Sequence, residues 1–286
     1  MGLMAGCKIA TGVRDTLSQV LPKRVRIRIG QMEVAVFANM IEKIPSEGRN
    51  VKKRLLVLPL MVLLTACDNA SSPVAYTPEM ASFSNEFDFD PLRGPVKSFT
   101  QTLVNEQGKE TKRVSAKVSA EGCFDQIEMH DLENNTGALL VLDANYYLDG
   151  RTQEKRILLQ GKCQLAALPS AGITWDTDDN GFVVASHSKT LKVTYRYDAE
   201  GYPLGKTSVV DGDTLSIVMT PGHDVRKKMD YTAVSSLNDK TLGKVTQTCE
   251  YDKHDNPVSC KLEMVDDSVT PAVTQHYAVK NDIEYY

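Results

Sequence analysis

The chain is 286 residues long, 42% hydrophobic and 24% charged, with a formal net charge of −4. Its charges are unevenly placed: 11 of the 33 Lys and Arg but only 4 of the 37 Asp and Glu precede Cys67, which leaves the 220 residues from Cys67 onward with a balance of −11. So acidic a body excludes nucleic acid and a bare anionic bilayer as partners of its surface, while its length suffices for one generous domain or two small ones.

The first 50 residues hold Cys7, a basic cluster (Lys23, Arg24, Arg26, Arg28) and a weak helical pattern around Val34 to Ile44. They precede a stretch with the layout of an export signal, which belongs at the start of a chain. Residues 1–50 are therefore read as an upstream extension, with Val51 as the initiator. Glu47-Gly48-Arg49-Asn50 is codable by a purine-rich string of the kind that recruits a ribosome. The competing reading is a cytoplasmic extension or nucleic-acid-binding arm, because basic clusters bind phosphate.

From Val51 the sequence runs through Lys52, Lys53 and Arg54, an apolar stretch from Leu55 to Leu64, and then Thr65-Ala66-Cys67. The apolar stretch is shorter than the roughly 20 residues of a membrane span, so 51–66 reads as a signal peptide. Leu64-Thr65-Ala66-Cys67 resembles the lipobox of bacterial lipoproteins, which implies cleavage between Ala66 and Cys67 and lipid on Cys67. Asp68 followed by Asn69 resembles the sorting signal that retains enteric lipoproteins in the inner membrane. The implied location is therefore the inner membrane, facing the periplasm, with the bilayer reached through acylated Cys67. Residues 67–82 read as anchor and tether. Asp68 to Ser82 has little to bury, and fifteen residues of flexible chain reach about 20 to 25 Å on average.

Four cysteines follow Cys67, an even number in an oxidising compartment: Cys123, Cys163, Cys249 and Cys260. The favoured pairing is Cys249 with Cys260, because Asp252 to Pro257 reads as the turn of a hairpin that sets these two opposite one another. That leaves Cys123 with Cys163. No CxxC and no histidine at ligand spacing points to a redox or zinc site instead.

Residues 83–286 read as a single all-β domain. Phe83, Phe87 and Phe89 alternate with polar residues up to Pro91, and Pro91 and Pro95 bracket a loop before a strand at Val96 to Val104. One signal then recurs, in which a β-prone run meets a polar residue, two more residues, and Gly or Asp. It occurs at Asn105 to Gly108, Ser119 to Gly122, Asp178 to Gly181, Asp198 to Gly201 and Asp252 to Asp255. The first side chain accepts a backbone hydrogen bond and the last residue takes positive φ, the signature of a hairpin with a type I turn and bulge. With strands such as Ala138 to Leu142, Leu191 to Tyr197, Leu215 to Met219 and Val245 to Tyr251 between the turns, the pattern predicts an antiparallel meander of hairpins with little room for helix. Curved sheet, barrel and sandwich all remain open.

Two hairpins match in register: Tyr195 to Leu204 and Cys249 to Val258, each with a Tyr-Asp pair entering the turn. These, with Thr77 to Val96, Leu132 to Asn135, Leu159 to Leu165, Thr177 to Phe182 and the terminal Glu284-Tyr285-Tyr286, resemble the YnfC-type enterobacterial lipoproteins. The resemblance runs from about Lys52 to the C-terminus. It implies a lipid-anchored envelope protein and brings no catalytic residues with it.

Asp176-Thr177-Asp178-Asp179-Asn180-Gly181 repeats the first half of a calcium loop, but His187 stands where a bidentate Glu is required. The five histidines, His130, His187, His223, His254 and His276, are scattered. There is no GxSxG, HExxH, P-loop or dinucleotide fingerprint. No catalytic residue, metal site or cofactor is therefore expected. The reading is a non-enzymatic module that binds an envelope protein or ligand, the alternative being a hydrolase with an unrecognised His and carboxylate site.

Overall fold

In the computed structural model, residues 27–29, 32–34 and 73–286 are described. β1 (Ile27–Ile29) and β2 (Met32–Val34) pair as a short antiparallel hairpin. Helix α1 (Pro78–Phe87) follows, then β3 (Val96–Asn105), β4 (Glu110–Val118), β5 (Phe124–Asp131), β6 (Thr136–Asp143), β7 (Tyr146–Asp149), β8 (Lys155–Gln160) and β9 (Gln164–Leu168). A 3-10 turn at Pro169–Ala171 leads to β10 (Ile173–Thr177), β11 (Val183–His187), β12 (Leu191–Tyr197), β13 (Pro203–Val210) and β14 (Asp213–Pro221). The chain ends with β15 (Tyr231–Leu237), β16 (Lys240–Tyr251), β17 (Pro257–Asp266) and β18 (Val273–Tyr285). Ala66, Cys67, Asp68 and Asn69 lie outside the described residues.

From β3 onward each strand pairs antiparallel with its neighbour in sequence. β18 then pairs with β3, Ile283 opposite Phe99, which closes a barrel of 16 strands. All five predicted turns form with their expected hydrogen bonds, from Gly108, Gly122, Gly181, Gly201 and Asp255 N to the carbonyl three residues earlier, at 2.8 to 3.2 Å. Asp178, Asp198 and Asp252 each use Oδ1 to accept two amides of their own turn, which fixes the hairpin ends.

Alternation along the strands sorts apolar residues inward and polar residues outward. The outward row reads Thr274, His276, Ala278, Lys280, Asp282, Glu284 on β18, Lys244, Thr246, Thr248, Glu250 on β16, and Arg113, Ser115, Lys117 on β4. Charges on the lipid face of a spanning barrel cost about 2 to 4 kcal/mol each near the midplane, and such barrels carry a continuous apolar belt. This wall has none. Only β6 to β8 present a mainly apolar outer row (Leu139, Val141, Leu148, Leu158). Among the described residues no helix is long and apolar enough to cross a membrane.

A barrel of this strand number is wide enough to leave an aqueous channel. Here α1 fills much of it. Residues 79–87 are all buried, and Phe83 stacks on Phe124 of β5 at 4.7 Å and meets Tyr147 of β7 edge-on at 5.6 Å. On the opposite wall Ser82 Oγ accepts the amide of Val183, and the Tyr195 hydroxyl donates to Glu86. Of the tether expected over 67–82 and the alternating run expected over Phe83 to Pro91, residues 78–87 are helical instead: Pro78 to Phe87 is a plug. Thr77 caps the helix by accepting the Met80 amide at 3.2 Å, Pro78 sits in its first turn, and Met80, Phe83 and Phe87 share a face at helical spacing.

The disulfides are Cys123–Cys163 and Cys249–Cys260, the latter joining directly opposed residues of β16 and β17 with a Cα separation of 4.0 Å.

Candidate functional site

At its C-terminal end α1 stops where Asp88 enters the left-handed region (φ 54°), and the following residues turn along the inner wall to Pro91. Beyond that turn the lumen is not filled. A cavity of about 290 Å³ lies between residues 84–91 and the inner faces of β3, β4 and β13 to β18. Leu103, Ile217, Met219, Leu262 and Val279 form apolar walls, and Asp90, Gln101 and Gln247 supply a polar floor. Leu103, Ile217 and Leu262 point inward yet are only partly buried, so the cavity meets solvent at the end of the barrel that carries the β3–β4 and β13–β14 turns.

The floor is held from three directions. Asp90 N donates to Gln101 Oε1 at 2.8 Å, and Gln101 Nε2 donates to Asn281 Oδ1 at 2.9 Å. Gln247 Nε2 reaches Asp90 Oδ2 at 3.1 Å and the Met229 carbonyl at 3.2 Å. Burial pushes the Asp90 carboxyl up to about 6, against the opposing pull of Gln247 and Lys112. Tyr202 also stands among the residues around the cavity. Its hydroxyl is fully buried and has no hydrogen-bond partner among the described residues.

Two lysines project into the lumen, and both serve the helix. Lys206 Nζ donates to the Asn85 carbonyl at 2.8 Å and to Asp88 Oδ1 at 2.9 Å, while Lys112 Nζ donates to the Asp88 carbonyl at 2.5 Å. Together they satisfy carbonyls that the end of α1 leaves open and complement its negative pole. Burial opposes the charge on Lys206, but Asp88 and Glu86 more than offset it and hold its affinity for the proton above the ordinary value. Deeper in the plug, burial raises the carboxyl of Glu86, with the Tyr195 hydroxyl opposing.

At the opposite end of the barrel the two Tyr-Asp hairpins are joined through Arg93. Its buried guanidinium lies 4.6 Å over the Tyr76 ring and donates to the Val225 carbonyl at 3.0 Å, while Asn256 brackets its backbone on both sides. Lys228 bridges Asp198 and Glu200, and the Tyr285 hydroxyl donates to Asp252. These contacts tie the two hairpins to the chain around Arg93.

The histidines do not converge on the cavity. His130 pairs with Glu128 at 2.8 Å, His187 lies 3.5 Å from Asp176, His254 stacks on Tyr285 at 4.0 Å, His276 lies 4.0 Å from Glu263, and His223 is exposed in the β14–β15 loop. In the calcium-like loop Asp178 Oδ1 is engaged by the Asn180 and Phe182 amides, as a hairpin turn requires. Sequence reasoning did not single out Asp90, Gln101, Tyr202 or Gln247. A signal was present for the glutamines: each stands on the apolar phase of its strand, Gln101 between Phe99 and Leu103, Gln247 between Val245 and Cys249, where a polar group needs a buried partner.

Among solved structures, a porin-like protein from Bacteroides uniformis aligns over 66% of this chain and 96% of its own, at 9% identity and a TM-score of 0.40. In sequence, the UPF0257 lipoprotein YnfC of Salmonella dublin is 63% identical over 236 residues, covering 82% of this chain and all of its own length. The proteins of the same name from Salmonella paratyphi B and Salmonella typhimurium are each 62% identical over the same span. The model of the uncharacterised protein family UPF0257 matches residues 51–286, and the chain belongs to that family.

Proposed function

We propose that the protein is a lipoprotein of the bacterial inner membrane, cleaved after Ala66 and acylated on Cys67, whose barrel is a non-enzymatic module facing the periplasm and binding its ligand in the lumen beside Asp90. The observation that carries this reading is the polarity of the barrel, charged outside and apolar within, around a cavity whose polar floor has been drawn together from three strands and a turn. The lipobox and the lipoprotein name of the relatives support the anchor, and Asp68-Asn69 supports retention in the inner membrane. The hydrolase alternative requires a base beside a nucleophile in a cleft, and neither a histidine nor a serine activated by one lines this cavity.

The docked chain begins at Tyr76, whose amide donates to the Glu200 carbonyl at 2.9 Å. Residues 68–75 are then the working tether, roughly 28 Å at full extension and about 15 Å on average. The barrel end around Arg93 is therefore held toward the bilayer and the cavity opens away from it. The test is the non-reducing intact mass of membrane-extracted protein, with fractionation of the two membranes. The reading requires the mass of the chain from Cys67 plus acyl groups, in the inner-membrane fraction. A mass that includes residues 51–66, or recovery in the outer membrane, overturns the anchor or the sorting respectively. Failure of the membrane-extracted protein to take up any small apolar molecule in the lumen overturns the binding role.

A further inference from the structure

We propose that the lumen cavity is a site for a small organic ammonium ion, an apolar body with one charged N–H group received by Asp90. This rests on the reading of the lumen as the binding site and adds the chemistry of its occupant. Asp90 Oδ2 is held by Gln247, whereas Oδ1 accepts no hydrogen bond from any described residue. A carboxylate in such surroundings is stabilised by a cation that brings its own donor. The charged groups that face it are few. Asp88 lies on the same turn, Lys112 comes from β4 and Lys206 from β13; both lysines bond to the end of α1, and the charge of Lys112 offsets only part of the effect of burial on Asp90. From β14 to β18 the cavity receives Ile217, Met219, Tyr231, Gln247, Leu262 and Val279, none of them charged at neutral pH.

A cavity of about 290 Å³ stands at the lower end of small-molecule sites, which suits a ring or short chain with a single amine. Burial places the Asp90 carboxyl at about 6, so the ionised fraction that attracts the ligand falls about tenfold between pH 7.5 and pH 5.

The test uses the full lipidated protein in lipid nanodiscs, titrated calorimetrically against empty nanodiscs with cyclohexylammonium, cyclohexanol and cyclohexanecarboxylate. The ammonium should bind saturably at pH 7.5 and at least tenfold more tightly than either of the others. It should weaken about tenfold at pH 5, and fall to the level of the alcohol in Asp90→Asn. If the alcohol binds as tightly as the ammonium, or Asp90→Asn leaves the ammonium affinity unchanged, the ammonium assignment is overturned while the lumen stands as a site. If none of the three binds, both fall. Should Asp90→Asn not fold, Ile217→Trp, which sets an indole in the cavity, takes its place; unchanged ammonium binding there equally overturns the proposal.

Discussion

Phe83→Ala separates a plug from a tether. Phe83 is 1% exposed at the centre of α1 and contacts Phe87, Phe124 and Tyr147 with ring centroids 5.5, 4.7 and 5.6 Å away. Removing a fully buried phenyl forfeits its transfer free energy and leaves a cavity that its neighbours fill only in part, together about 3 to 5 kcal/mol. The loss should fall at the upper part of that range, because β5 and β7 are fixed in the barrel and cannot collapse inward. Trp175, the single tryptophan, is 3% exposed on the inner wall of β10 and reports the transition by fluorescence. In urea unfolding of the lipidated protein in detergent, the midpoint should drop with the slope unchanged. A loss below about 1 kcal/mol would mean that α1 packs loosely, and the placement of residues 78–87 inside the barrel would be refuted.

Asp90→Asn should change stability with a definite pH dependence. The folded carboxyl is raised from 3.8 to about 6, so wild-type stability declines as pH rises from about 4 through 6, whereas the amide does not titrate. The variant should match wild type at pH 4 and exceed it by about 1 to 3 kcal/mol at pH 8; a difference independent of pH would remove the buried carboxylate from the account. Replacing both Cys123 and Cys163 by Ser should cost about 4 kcal/mol and replacing both Cys249 and Cys260 about 3, given sequence separations of 40 and 11, as read by thermal melting without reductant. Asp68→Ser should move the protein to the outer-membrane fraction, and unchanged fractionation would dissociate Asp68 from sorting. The tryptic peptide Ile29 to Lys43 should be absent from digests of cells, since its detection would show that translation begins upstream of Val51.

What was legible in the sequence is what a few neighbouring residues settle among themselves. Asp198 and Asp252 close their turns by accepting amides two and four residues on, and the pairing of Cys249 with Cys260 follows from the turn between them. Strand alternation and the lipobox are local in the same sense. Closure is not. β18 meets β3 through backbone groups that carry no side-chain identity, and Ile283 lies opposite Phe99 only because fifteen earlier pairings have curved the sheet far enough to bring them together. Thr77-Pro78-Glu79 marks a helix start, but the phenylalanines of the segment fit a period of two as well as one of 3.6, and only a lumen in need of filling decides between them. The cavity is more remote still from the linear chain. Asp90, Gln101, Tyr202 and Gln247 become neighbours across a closed barrel, and the carboxyl of Asp90 departs from its ordinary behaviour because tertiary packing, which no local pattern encodes, removes it from water.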